Sequence, residues 1–243
     1  GRTLLYRSIG LQHGAVVFIE DVTELRKQQQ EVEIKEATIR EVHHRVKNNL
    51  QTVAALLRMQ GRRTTNDETK EALSAAVERI NSMATVHALL SSSEQESLDL
   101  LEMAQSVVSS IEASMRTSKC AVEVIVAGEG EIILPAHVIT SLALVLTELV
   151  HNAYEHGLNI RTNQNEGKKG AIRVDISQNS DMIIMEISDN GKGLPEDFDV
   201  STSQNLGLSI VKTIVSQDLN GELFAYNSKG AHFQVRIPRG EWE

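Results

Sequence analysis

The 243-residue chain has a single cysteine, three prolines and few aromatic residues, 3% of the total. With Cys120 alone, an intrachain disulfide framework and any multi-cysteine zinc site are excluded. The shortage of aromatics points to aliphatic, helix-rich packing. Basic residues are outnumbered, 24 Lys and Arg against 33 Asp and Glu, giving a net charge of -9 and a pI of 5.4. This balance argues against non-specific nucleic-acid binding, which needs cations to displace counterions from phosphates. No run reaches the ~18 apolar residues of a membrane-spanning helix; the best stretch, Val138 to Val150, contains Ser141, Thr147 and Glu148. The first residues do not read as a secretory signal, and Gly1 at the start is expected to mark a piece of a longer protein. What is present is 41% apolar and 23% charged residues, enough for a real core. At roughly 150 residues per domain, the length allows about one and a half domains. The expectation is a cytoplasmic, two-domain chain with no membrane segment.

Two short strands, Leu4 to Ile9 and Ala15 to Glu20, flank Gly10 and Gly14. From Asp21 the chain runs without glycine or proline to Gly61, and Asp21 and Thr23 are both plausible helix caps. Leu25, Val32, Ile39, Val46 and Val53 recur every seven residues, joined by Val42, Leu50, Leu56 and Leu57. A sustained seven-residue period means a seam packed against another helix. Thr65 with Glu68 fits a capping box for a second amphipathic helix carrying Leu73, Val77, Ile80, Ala84 and Leu90. Two antiparallel helices cannot close a core alone, so a homodimer supplying four is the natural completion. After Ser91-Ser92-Ser93 the texture changes. Helices are expected at Leu98 to Met115, Ala136 to His151 and Leu208 to Leu219, and strands at Val122 to Val126, Ile172 to Ser177, Met182 to Ser188, Glu222 to Tyr226 and His232 to Ile237. This order predicts one mixed sheet covered by helices on one face, and an α+β protein as a whole.

Two segments carry chemistry. The first is Glu41-Val42-His43-His44-Arg45-Val46-Lys47-Asn48-Asn49-Leu50-Gln51, in the middle of the heptad helix. At about 100° per residue from Ile39, His43 falls about 40° from the seam and His44 about 140°, turned to solvent. Adjacent residues make a poor metal site for the same reason. A free imidazole is substantially neutral at pH 7 and offers one ring nitrogen as a nucleophile. The string His44-Arg45-Val46-Lys47-Asn48-Asn49-Leu50-Gln51 resembles the phosphoacceptor box of sensor histidine kinases of the HisKA_2 subclass, relatives of the HWE kinases. The resemblance implies that His44 accepts a phosphoryl group, the same residue the helical wheel exposes. Arg45 stands where the larger HisKA class has an acidic residue, so Glu41, one turn back, is the candidate to polarise the imidazole.

The second segment spans three motifs. Glu148 and Asn152 lie four apart near the end of an apolar helix, a spacing that puts a carboxylate and an amide on one face and suits a hydrated Mg²⁺. Asp189-Asn190-Gly191-Lys192-Gly193 follows a strand; Asp189 can accept from an adenine amino group, and the glycines let backbone approach a flat base. Asn205-Leu206-Gly207-Leu208 opens a helix whose free N–H groups favour phosphate. In this order the three resemble the N, G1 and G2 boxes of the GHKL (Bergerat) ATP-binding fold, with Gly230 to Pro238 as its last strand. The resemblance implies ATP and Mg²⁺, with Asn152 and Glu148 at the metal, Asp189 at adenine, Gly191, Gly193, Gly207 and Leu208 lining the nucleotide, and a short lid from Pro195 to Leu206. Departures are the single Gly207 behind Asn205, Ala231 in place of a frequent threonine, Glu155 after the first box, and no clear F-box beyond Phe198.

The first twenty residues look like the last strands of a PAS sensor domain. The expected division is 1–21 PAS-like strands, 22–93 signalling helix and phosphotransfer hairpin, and 94–243 ATP-binding domain. The resulting expectation is a homodimeric histidine kinase that phosphorylates His44, with Glu41 and Glu148 as further candidate catalytic residues. It would pass the group to an aspartate of a response-regulator receiver and take its signal from an upstream sensor domain. Two alternatives stay open on the residues: a GHKL pseudokinase or binding module signalling through dimer shape, and a GHKL kinase or ATPase that does not use histidine.

Overall fold

The computed structural model describes residues 2–11, 14–92, 97–115, 122–158, 170–200 and 205–240. Cys120, Ser93 and residues 201–204 of the expected lid lie outside these.

A hairpin of β1 (Leu4–Leu11) and β2 (Gly14–Asp21) leads into α1 (Thr23–Arg63). The residue at the helix cap is Val22, without a side-chain cap bond, so neither expected cap holds that position; Asp21, one residue earlier, accepts from the Thr23 N–H at 3.0 Å in the turn that enters the helix. The absence of Gly and Pro lets α1 run 41 residues, and it continues through Gly61, the expected stop, for two more. The second helix, α2 (Asp67–Ser92), is capped by Asn66, whose side chain accepts from the Thr69 N–H at 2.9 Å. The expected Thr65/Glu68 capping box is therefore not the one used. Asn ranks with Asp and Ser as a cap, and it stands one residue before the helix.

Helices α1 and α2 pair as a hairpin, with Ala54 and Val77 buried between them. The heptad seam is only partly spent on this contact. Leu25, Val42, Val53 and Leu56 are exposed, and Val42, Val53 and Leu56 fall on one side of α1.

The remainder forms an α/β sandwich. A short β3 (Ser97–Asp99) pairs antiparallel with β5 (Ile133–Pro135), two strands the sequence pattern did not reveal because each is three residues long. The main sheet has the order β4 (Val122–Gly128), β6 (Gly170–Gln178), β7 (Met182–Asp189), β9 (Ala231–Pro238), β8 (Glu222–Asn227). Only β4–β6 is parallel. Alternation sends Val174, Ile176, Met185, Ile187, Val235 and Ile237 to one face, where α3 (Leu100–Met115), α4 (Ala136–Asn152) and α5 (Leu206–Thr213) cover them. Over Ala136–Glu155, α4 and its continuation are long and apolar enough to cross a membrane by length and composition. Val138, Ile139, Leu142, Val145, Leu146 and Leu149 are nonetheless in the core.

This core is not confined to the sandwich. Val86 and Leu90 of α2 belong to the same buried cluster, and α2 lies against α3 and α4.

Candidate functional site

A cavity of about 470 Å³ opens at the C-terminal end of α4. It is lined by Asn152, Asp189, Gly193 and Leu208 from the expected set, with Gly157, Lys192, Phe198, Asn205 and Phe233 among the further walls. Its size is that of a small-molecule site.

Each wall has a local cause. At Ala153 the backbone of α4 widens into a π turn ending at Gly157, whose carbonyl accepts the Lys192 N–H at 3.1 Å. This stitches the helix end to the glycine loop after β7. A Cβ on Gly191 would fall inside the Gly157 carbonyl, and one on Gly157 would lie 2.6 Å from the Asp189 carboxyl carbon. Gly193 has φ +75, a conformation that side chains other than hydrogen resist. Beside it Asn227 accepts from the Leu194 N–H at 2.7 Å and donates to the Leu194 carbonyl at 2.9 Å, clamping the loop from β8. Gly191 supports the cavity from behind rather than lining it. Replacing Gly191 by alanine is expected to lower stability by about 2 kcal/mol, from forced displacement of the Gly157 backbone. It should also abolish any stabilisation by the ATP that the motif resemblance implies; thermal scans with and without nucleotide measure both.

Asp189 ends β7 and is 8% exposed. Its carboxylate accepts from the Gly191 N–H at 2.8 Å. Burial raises its pKa from 3.8, opposed by the N–H groups of Gly191 and Ala231 and by His232. A buried acceptor held on a strand end at a cavity wall suits recognition of a ligand N–H. Asn152 supplies a second signal: among the described residues its Nδ2 is the one buried side-chain polar atom without a hydrogen-bond partner. Buried polar groups are rarely left so, and Asn152 is part of the cavity wall. The edge-to-face pair Phe198–Phe233, with centroids 6.2 Å apart, supplies an apolar wall.

At the start of α5 the Asn205 side chain accepts the Gly207 N–H at 3.0 Å, so one of the helix's orphan donors is already satisfied by the protein. Gly207 packs so closely on α4 that a Cβ would lie 2.7 Å from Glu148 Oε2 and 3.7 Å from Asn152 Oδ1. Glu148, Asn152 and Gly207 are thus brought together, as are Asp189, Gly191 and Gly193. Glu148 itself does not line the cavity. It is 6% exposed, and Arg79 of α2 donates to both its oxygens, at 2.5 and 2.8 Å. The hydrogen bond to Glu148, and after it the carboxylate's charge, hold Arg79 above its ordinary pKa against the opposing pull of burial. Sequence reasoning missed Arg79, since nothing in a heptad pattern marks which basic residue meets a distant helix.

His44 and Glu41 sit elsewhere, on α1. His44 is exposed, as the helical wheel indicates, and His43 is half-buried with its Nδ1 2.9 Å from Nδ1 of His87 on α2. Glu41 accepts from Arg45 Nε at 2.7 Å, which holds its carboxyl below the usual range and makes it a weaker proton acceptor for His44. Burial, then the neighbouring His43, lower His87 below 6.5. Because the folded protein disfavours protonation at His87, this part of the stability is complete above pH 6.5 and is lost as pH falls through 6.5 toward the depressed value. Replacing His87 by glutamine is expected to flatten the fall in unfolding temperature between about pH 7 and 5.

Residues 41–115 match the HisKA_2 histidine kinase family model, and residues 137–241 match that of the histidine kinase-, DNA gyrase B- and HSP90-like ATPases. The second match takes in the cavity and the sandwich around it, so the fold here is the ATP-binding fold of that group. Both segments in one chain are specific: the chain belongs to the histidine kinases. It is 39% identical over 247 residues to sensor histidine kinase PdtaS of Mycolicibacterium smegmatis, covering 98% of this chain and 47% of that protein. To PdtaS of Mycobacterium tuberculosis it is 37% identical over 254 residues, covering 99% and 48%. The chain therefore spans about half the length of the curated relatives it matches. Among solved structures, the histidine kinase domain of the Erythrobacter litoralis EL346 blue-light activated histidine kinase shares the fold. Its TM-score is 0.58 at 23% identity, covering 86% of this chain and 94% of that one.

Proposed function

We propose that this chain is the core of an ATP-dependent protein-histidine kinase of a two-component system, with His44 as phosphoacceptor. The observation that carries the reading is the presence in one chain of an exposed histidine on a long hairpin helix and a separate cavity with a buried Asp189 and an unpaired Asn152 amide. Asp189 would accept from the adenine amino group. Gly193, in the cavity wall, would admit the base, and Gly191 would hold the loop behind it. Leu208 and Gly207, at the start of α5, would lie beside the phosphates.

Asn152 fits a nucleotide-borne Mg²⁺, with Glu148 one turn away. Among the described residues no group of three or more His, Cys, Asp or Glu is placed to hold a metal. A Mg²⁺ carried by phosphates and water needs only one or two protein oxygens. When bound, it would neutralise charge on the phosphates. The protein's own task is to align two parts, since phosphoryl transfer depends mostly on positioning and electrostatics. A neutral ring nitrogen of His44 forms the N–P bond as the P–O bond to departing ADP breaks. The phosphoryl group then moves to a receiver aspartate of a response regulator.

The exposed apolar side of α1, with Val42, Val53 and Leu56, supports a homodimer whose four helices form one bundle. The β1–β2 hairpin, exposing Leu4, Tyr6, Val17 and Phe18, supports a PAS-like sensor over residues 1–21. The phosphotransfer hairpin would then occupy 22–93 and the ATP-binding domain 94–243, in the cytoplasm. Incubation with γ-labelled ATP should yield a protein-bound label that is lost in acid and kept in base. An acid-stable label, or none with ATP bound, would count against the proposal.

A further inference from the structure

Glu148 of α4 is held by a residue of the helical hairpin. Arg79 grips it with two parallel donors, the two side chains being 20% and 7% exposed. One turn along α2, the hydroxyls of Ser82 and Thr147 lie 2.6 Å apart, both residues buried. Further along still, Val86 and Leu90 enter the core of the sandwich. Together these contacts form a continuous strip along which α2 is docked on α4, apolar near the linker and ionic at the far end.

The docked arrangement has a geometric consequence for His44. Its neighbour His43 touches His87, eight residues along α2 from Arg79, which is ~12 Å at 1.5 Å per residue. Glu148 and the cavity beyond it therefore meet the hairpin well away from the level of His44. His44 also points to solvent rather than toward α2.

We propose that Arg79 is a latch: by chelating Glu148 it holds the sandwich docked along α2 in a state that binds nucleotide but keeps both Glu148 and the nucleotide cavity away from His44. The inference rests on the reading of the chain as a kinase acting on His44, with Glu148 at the reaction site. Its physical basis is the asymmetry of a buried ion pair. Made with both partners it is close to neutral, but losing one leaves an uncompensated charge in a dry interface. Removing Arg79 therefore penalises the docked state alone, because an undocked Glu148 is solvated. A bidentate pair also depends strongly on geometry, so a small tilt of α2 opens it.

The test uses the full chain in two forms. Arg79→Ala should raise the rate of phosphoryl incorporation at His44 at least about tenfold, as expected when a minor competent state becomes the major one. In a Cys120→Ser background, Ser82→Cys with Thr147→Cys places two thiols where the hydroxyls now meet, within reach of a disulfide. Oxidised, this protein should migrate as a cross-linked species, bind ATP in a fluorescence titration as the reduced form does, and lose at least about fifty-fold in His44 labelling, beyond what a single-residue perturbation gives. Dithiothreitol should restore the label. An oxidised protein that labels His44 as fast as the reduced one overturns the latch while leaving the kinase reading intact. So does Arg79→Ala slowing the label with ATP affinity unchanged, which would make the docked state the productive one. A reduced protein that binds ATP and labels nowhere overturns both.

Discussion

Replacing His44 by glutamine is expected to abolish the acid-labile label from γ-labelled ATP while leaving ATP affinity and the unfolding temperature unchanged. The separation follows from the structure. His44 is exposed on α1, makes no contact with the cavity lining, and contributes nothing to the core. Glutamine keeps the bulk and polarity and has comparable helix propensity. The loss should be complete, not graded, because an amide nitrogen offers no lone pair for the N–P bond. His43 gives an internal control. It is half-buried against His87, so His43→Gln should disturb the hairpin and its pH dependence without removing the acceptor. Phosphopeptide mapping distinguishes the two neighbours directly. A label that persists in the His44 variant would place the acceptor elsewhere.

The second large effect is expected at Asp189. Asp189→Asn should weaken ATP binding about a hundredfold, the value of a charge-assisted hydrogen bond of roughly 3 kcal/mol. Folding should change little. Burial raises the Asp189 pKa, so ionisation costs the folded state as pH rises through the carboxylate range. The amide removes that cost but also gives up one acceptor for the Gly191 and Ala231 N–H groups. The two changes oppose each other, and the unfolding midpoint should stay within about 3 °C. In the unsubstituted protein, ATP affinity should decline as pH falls, beginning at a higher pH than for an exposed aspartate with a pKa of 3.8. Titration calorimetry across pH checks the sign. An affinity that holds for the asparagine variant would remove Asp189 from adenine recognition.

Much of this was legible because the relevant signals are local. A period of seven marks α1, alternation marks β6, β7 and β9, and the glycine spacing after Asp189 marks the loop. The helical wheel placed His44 outside and His43 at the packed edge, and both stand there. Local signals also failed in local ways. The strands β3 and β5 are too short for alternation to show. The cap of α2 fell on Asn66 and not Thr65, one residue from the expected box. What the sequence could not show is long-range. Arg79 and Glu148 are 69 positions apart, and no periodicity joins them. The same holds for His43 with His87, and for Gly157, whose need to be glycine is set by a carboxylate 32 residues further on. Glu41 is a further case of a partner that proximity to His44 did not reveal: its carboxylate pairs with the full charge of Arg45 at i+4.

The strip joining α2 to α4 can also be considered as a machine part. Leu90, in the core near the linker, is a pivot, and Arg79, eleven residues away, is the tip of an arm ~16 Å long at 1.5 Å per residue. Turning such an arm by about 10° displaces its tip by about 3 Å, as much as the length of a hydrogen bond, while atoms next to the pivot hardly stir. The ionic contact is therefore the one that fails first when the hairpin is tilted, and the apolar contacts survive as the hinge. Torque applied far up α1 would be read out at a carboxylate without any rearrangement of the domain's interior.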